Sequence, residues 1–224
     1  MLDKYFGFTK INNEVAVIDS LIEHSRIDEE ELYLIEKLIE SFLKKNSSEV
    51  DEIHLKISKI RSDSNRIFEY TEEQIIQANF DFQKQYDFLR IYQRIECIST
   101  DILKLSSNIL VLNNIGGEMP EKLHVYSTDI ARLIVTSHEL FKQSLQKYEN
   151  ERSSIIKIIH KIVECDKAIS EQHTRAIEQL YFLANDGKMK LGTFKAIENI
   201  FNTFETLGKK IEEASTSLEW LLIN

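Results

Sequence analysis

The chain has 224 residues, 42% of them apolar and 29% charged, with only one proline and six glycines. That length can bury a large core, and the scarcity of turn residues points to a few long helices. Lys plus Arg number 28 against 37 Asp plus Glu, a net charge of −9; with no basic run to offset it, binding to nucleic acid through phosphate neutralisation is not expected. Cys97 and Cys165 are too few for a disulfide framework or a thiolate metal site, and read as buried thiols in a reducing compartment. Met1 to Lys10 lacks an apolar signal core, and no stretch of about 18 apolar residues occurs, so a cytoplasmic protein without lipid insertion is expected.

In chain order, Leu2, Tyr5, Phe6 and Phe8 form an apolar segment suited to tucking under a bundle or to self-association. From about Asn12 to Lys45, Val15, Ile18, Leu21, Ile22, Leu32, Ile35, Leu38, Ile39, Phe42 and Leu43 fall at three-and-four spacing, one stripe of a helix. A break is expected near Ile27 and Asp28, with Asp28-Glu29-Glu30-Glu31 as the solvated start of the next segment. Asn46, Ser47 and Ser48 offer an N-cap for a second helix carrying Ile53, Ile57, Ile60 and Ile67 and ending near Asn79. A third helix reads through Phe88, Ile91, Ile95, Ile98, Ile102, Leu105, Ile109 and Leu112, and stops at Asn113-Asn114-Ile115-Gly116-Gly117. Pro120 opens a fourth helix running to about Tyr148. Asn150 separates it from a fifth, about Ser153 to Ala184, which Asn185-Asp186-Gly187 ends. The sixth spans about Thr193 to Leu222; Gly208 inside it costs roughly 1 kcal/mol of helix propensity relative to alanine and suits a close helix contact.

The six helices repeat in threes. Ile53, Ile57, Ile60 and Ile67 stand 102 residues before Ile155, Ile159, Ile162 and Ile169. Phe88, Ile91, Ile95, Glu96, Ile98, Ile102, Ser106, Ile109 and Leu112 precede Ile197, Ile200, Phe204, Glu205, Leu207, Ile211, Ser215, Leu218 and Leu221 by 109. The equivalent placement of Glu96 and Glu205 beside the stripe favours duplication over the coincidence that any two amphipathic helices allow. An all-α fold follows, with one three-helix bundle over residues 1–115 and a second over 116–224.

This doubled layout, with Asp87-Phe88-Leu89-Arg90-Ile91, Ile95-Glu96-Cys97-Ile98 and Phe204-Glu205-Thr206-Leu207, resembles the PhoU-like proteins, in particular the branch of Pit accessory proteins and phosphate transport regulators. The resemblance covers nearly the whole chain from about Leu21. It implies a PhoU-like tandem of two three-helix bundles and a non-catalytic cytoplasmic regulator of inorganic phosphate transport that binds a membrane phosphate transporter. It also implies a metal cluster held by an acid-x-x-x-Asp step on four helices, since residues four apart share a helix face. Here those steps fall on Arg61 and Asn65, Glu96 and Thr100, Val163 and Lys167, and Glu205 and Lys209. Only Glu96 and Glu205 are acids, too few to offset the dehydration of a hard cation, so loss of the cluster is expected and no cofactor is implied. Lys209, four residues after Glu205, is placed to supply positive charge in the metal's stead. A register shifted by one position instead brings Asp63, Asp101, Glu164 and Asp166 into play, and a metal site with them.

His160, Glu164, Cys165 and Asp166 read as an ordinary amphipathic face with the thiol inside. His24, His54, His124, His138 and His173 form no four-residue pairs. Phe80, Phe82, Tyr86, Phe88 and Tyr92 offer either a partner-binding patch or the filling of a helical junction. No glycine-rich phosphate loop, nucleophile turn or helical His pair is present, which argues against an enzyme. A helical adaptor that has lost both metal and phosphate link is the alternative to the regulator. Long apolar edges also suit a homodimer.

Overall fold

The computed structural model describes residues 3–149, 151–187 and 189–223, with side chains from Asn13 onward. Six helices follow one another: α1 (Asp3–Leu43), α2 (Ser47–Gln77), α3 (Phe82–Asn114), α4 (Glu121–Gln146), α5 (Arg152–Asn185) and α6 (Leu191–Ile223). Leu2, Tyr5, Phe6, Phe8 and Asn150, which the sequence singled out, lie outside the described side chains. Among the described residues there is no strand, and no helix is long and apolar enough to cross a membrane.

The turns are cut where the chain supplies left-handed residues. Gly116 (φ 63°) and Gly187 (φ 68°) close α3 and α5, and Lys45 (φ 60°) closes α1 despite its side chain. Asp81 caps α3 by accepting the backbone N–H of Lys84 at 2.9 Å. Asn46 makes no such bond. Its side-chain amide donates to Glu49 at 2.9 Å, and α2 starts one residue later at Ser47.

The first half packs α1 on α2, α2 on α3 and α1 on α3; the second repeats this with α4, α5 and α6. Across the halves α1 packs on α4 and α3 on α6, so the outer helices α2 and α5 flank a central four-helix layer. The repeated positions coincide in burial: Ile91 and Ile200, Ile95 and Phe204, Ile98 and Leu207, Ile102 and Ile211, and the small polar pair Ser106 and Ser215 are all buried. Gly208 is the close contact its place suggested. A Cβ there would meet Ile169 Cδ1 at 2.8 Å and Cγ2 at 3.2 Å, so the missing side chain lets α6 lie tight on α5.

Three expectations change. No break occurs at Ile27 and Asp28; α1 runs straight through. Asp28 and Glu31 are not solvated but fully buried, because they continue the inner stripe of an unbroken helix. The thiols are not both buried: Cys97 is exposed and Cys165 half-buried, since each sits one position off its helix's core stripe. The aromatic group divides. Phe88 and Tyr92 are buried and Phe80 stacks on Phe88 at 5.1 Å, filling the α2–α3 junction, while Phe82 and Tyr86 are exposed.

Candidate functional site

The two faces that the resemblance singled out lie between α2 and α3 and between α5 and α6. On the first, Arg61 reaches across to Glu96, with Nη2 3.7 Å from the carboxylate, and its guanidinium rests on the Phe68 ring at 4.2 Å. A guanidinium over an aromatic face gains a cation–π attraction there. Asn65 and Thr100 point to solvent, and Thr100 returns its hydroxyl to the Glu96 backbone carbonyl at 3.0 Å.

On the second face a groove of about 330 Å³ is lined by Asp166, Ser170, Glu205, Thr206, Lys209 and Lys210. Glu205 lies 3.3 Å from His173 Nδ1 and accepts from the Ser170 hydroxyl at 3.4 Å. Burial, reinforced by Glu212 and Glu205, raises the Asp166 pKa against the opposing pull of Lys209. Lys209 does not pair with Glu205 as its spacing suggested: its ammonium bonds Glu212 at 2.6 Å. Glu205 is turned toward α5, where His173 and Ser170 wait, and Lys209 is left to the acid one turn further on. Of the shifted-register acids, Asp166 faces this groove, Asp101 is half-buried, and Asp63 and Glu164 are exposed.

A third constellation lies deeper, and the sequence reading missed it. The inner stripe of α1 runs Val17, Leu21, His24, Asp28, Glu31, Ile35, Leu38 and Phe42, alternating steps of four and three. Three ionisable groups thus occupy core positions, each with 0% of its surface exposed. His138 of α4 and Ser99 of α3 meet them at Asp28, both also buried. The Ser99 hydroxyl donates to Asp28 Oδ1, and His138 Nε2 stands 3.8 Å from Asp28 Oδ2 and 3.5 Å from the Ser25 hydroxyl. The His24 ring lies 3.8 Å from that of Phe68 and 6.0 Å from that of Tyr92. Both His24 nitrogens, both Glu31 oxygens, Asp28 Oδ2, His138 Nδ1, Ser137 Oγ and Arg61 Nη1 are buried without a hydrogen-bond partner among the described residues. Burial holds the His24 pKa down at about 4. Burial, then the charge of Asp28, pushes Glu31 up to about 9 against the pull of Arg61. At neutral pH His24 is therefore uncharged and Glu31 carries its proton, the forms that cost least to bury. The signal was present in the sequence: continuing the apolar stripe from Leu21 to Ile35 without a break passes through all three residues.

No protein-family model matches the sequence, and no curated protein matches it. Solved structures do match. A PhoU-like protein from Shewanella oneidensis MR-1 superposes with a TM-score of 0.79 at 14% identity, covering 92% of this chain and 99% of that one. PhoU from Pseudomonas aeruginosa gives 0.77 at 11% identity, with 95% and 98% covered. The phosphate transport system regulatory protein PhoU from Streptococcus pneumoniae gives 0.65 at 12%, with 95% and 96% covered. The fold is the PhoU-like fold.

On this PhoU-like scaffold the side chains at the resemblance's metal positions do not suit an oxygen-ligated cation. A guanidinium stands 3.7 Å from Glu96, an ammonium stands beside Asp166, and Glu205 is engaged by His173 and Ser170. Among the described residues, no three His, Cys, Asp or Glu side chains converge as metal ligands would. Glu96 and Glu205 do occupy equivalent places in the two halves, each meeting a basic group of the neighbouring outer helix: Arg61 on α2 and His173 on α5.

Proposed function

We propose that the protein is a non-catalytic, cytoplasmic regulator of inorganic phosphate transport, of the Pit accessory kind, acting by binding a membrane phosphate transporter. The observation that carries the reading is the match of the PhoU-like fold over nearly the full length of both chains, to proteins two of which are described as phosphate regulatory. The net charge of −9 accords with it, since cytoplasmic loops of membrane proteins are enriched in Lys and Arg. The same charge disfavours docking on anionic lipid.

In this reading the protein works without the metal cluster. Cations stand in for it: Arg61 facing Glu96 in the first half, and Lys209 beside Asp166 in the second. A divalent ion entering either face would meet the repulsion of a cation already held there. The erosion of the acid steps also favours a second reading, a helical adaptor that keeps the scaffold without the phosphate link. Phosphate uptake separates the two. Cells lacking the protein should take up labelled phosphate at an altered rate, restored by the wild-type chain; unchanged uptake in both scarce and ample phosphate would favour the adaptor.

A further inference from the structure

Glu31 and Arg61 belong to two packed helices, and each ends in buried atoms that nothing among the described residues satisfies: both Glu31 carboxyl oxygens and Arg61 Nη1. The other edge of the guanidinium, Nη2, stands 3.7 Å from Glu96, beyond hydrogen-bond distance, and the Glu96 side chain is 44% exposed. The guanidinium carbon stands 4.2 Å from the centroid of the Phe68 ring, and the His24 ring of α1 lies 3.8 Å from the same ring, which brings this stretch of α1 alongside Arg61. Arg61 is therefore seated on an aromatic pivot, with an exposed carboxylate that it only partly engages on one side and a buried carboxyl group with open acceptor positions in the core. A guanidinium can take a carboxylate in a bidentate fork, which Glu31 could supply only in its ionised form.

We propose that Arg61 is a two-position latch set by the proton on Glu31. With the proton in place, the guanidinium stays outward over Glu96. When Glu31 gives its proton to water, the new carboxylate draws the guanidinium inward and Glu96 is released to solvent. The step moves one proton and breaks no covalent bond. It exchanges a neutral buried acid for a buried ion pair, the condition under which a charge is tolerated in a core.

The groups around Glu31 fit this switch. On α1 itself, Asp28 and Glu30 oppose its ionisation, and His24 is held uncharged by burial. From α2 Arg61 favours ionisation. From α3 come Glu96, the competitor for Arg61, and Ser99, which occupies Asp28. From α4 comes His138, which also faces Asp28. Among the described residues, helices α5 and α6 do not pack on α1. By linkage, a basic group docking on Glu96 would drive Arg61 inward and release the proton, so the latch ties the α2–α3 surface to a buried titration.

Nuclear magnetic resonance on the full chain, with Glu carboxyl carbons and Arg guanidinium nitrogens labelled, tests this between pH 5.5 and 10. One glutamate should titrate near pH 9, and the Arg61 Nη signals, assigned by their loss in Arg61→Lys, should shift with the same midpoint. Glu31→Gln, a neutral replacement of the same shape, should remove both steps. Glu96→Gln, a surface change that leaves the core untouched, should lower the Glu31 midpoint by roughly one pH unit, because the outward position loses its partner. Arg61 signals that stay fixed while Glu31 titrates would overturn the latch. So would a Glu31 that titrates with ordinary glutamates near 4.5.

Discussion

Replacing Glu31 with glutamine should stabilise the protein at neutral pH, although it removes an ionisable group from a helix and adds no contact. In the unfolded chain Glu31 ionises at its ordinary value of 4.5, whereas burial holds the folded value at about 9. A raised folded value means that stability is fully present below 4.5 and is lost as pH climbs toward 9, because the folded state must keep a proton that the unfolded chain has given up. Each pH unit in that window costs about 1.4 kcal/mol, so by pH 7 the wild-type acid costs roughly 3 kcal/mol relative to a neutral isostere. Against a typical domain stability of about 5–15 kcal/mol that is easily measured. Urea unfolding followed by circular dichroism, at pH 5, 6, 7 and 8, should give wild-type and Glu31→Gln midpoints that nearly coincide at pH 5 and diverge steadily above it. Parallel curves, or a variant less stable at every pH, would refute the reasoning, since they would mean that Glu31 is ionised and paired in the folded protein.

The opposite sign applies to His24. Its folded value of about 4 lies below the ordinary 6.5, so its contribution is present above 6.5 and is lost as pH falls toward 4; His24→Gln should be more stable than wild type by about 2 kcal/mol at pH 5 and not at pH 7.5. Ser99→Ala strips Asp28 Oδ1 of its donor in a dry core and should cost about 1–3 kcal/mol in the same urea assay. Gly208→Val would press two methyls into the Ile169 side chain that already crowds the position, and a loss of about 1–3 kcal/mol is expected from thermal unfolding. Purified, dialysed wild-type protein should contain no stoichiometric iron, zinc or manganese by elemental analysis. The combined change Arg61→Glu, Asn65→Asp and Thr100→Asp, which rebuilds the acid steps on α2 and α3, should gain metal; stoichiometric metal in the wild type would sink the account of cations standing in for it.

The helices could be read from the sequence to within a few residues because so little interrupts them: one proline and six glycines leave the punctuation at Gly116-Gly117 and Asn185-Asp186-Gly187 unambiguous. The repeat was visible on α3 and α6, where duplicated core positions, down to Ser106 and Ser215, are buried in both halves. Partner choice was less legible. Glu205 and Lys209 have the spacing of a helix pair, yet the acid is taken by His173 and Ser170 on another helix, which no single-helix pattern encodes. The buried acids were hidden for a related reason. Charged residues usually mark a solvated face, so Asp28 and Glu31 read as the solvated start of a helical segment until α3 and α4 bring Ser99 and His138 against the same stripe. Arg61 likewise looked like an eroded ligand position: Phe68, two turns on along α2, seats its guanidinium, and its approach to Glu96 emerges only when α3 is packed on α2.

The central claim, regulation of phosphate transport through a membrane transporter, is tested most directly by affinity purification of the tagged protein from detergent-solubilised cells grown in scarce and in ample phosphate, with partners identified by mass spectrometry. The account predicts recovery of a phosphate transporter, enriched in one of the two conditions. Recovery of soluble partners alone, the same in both, would contradict it.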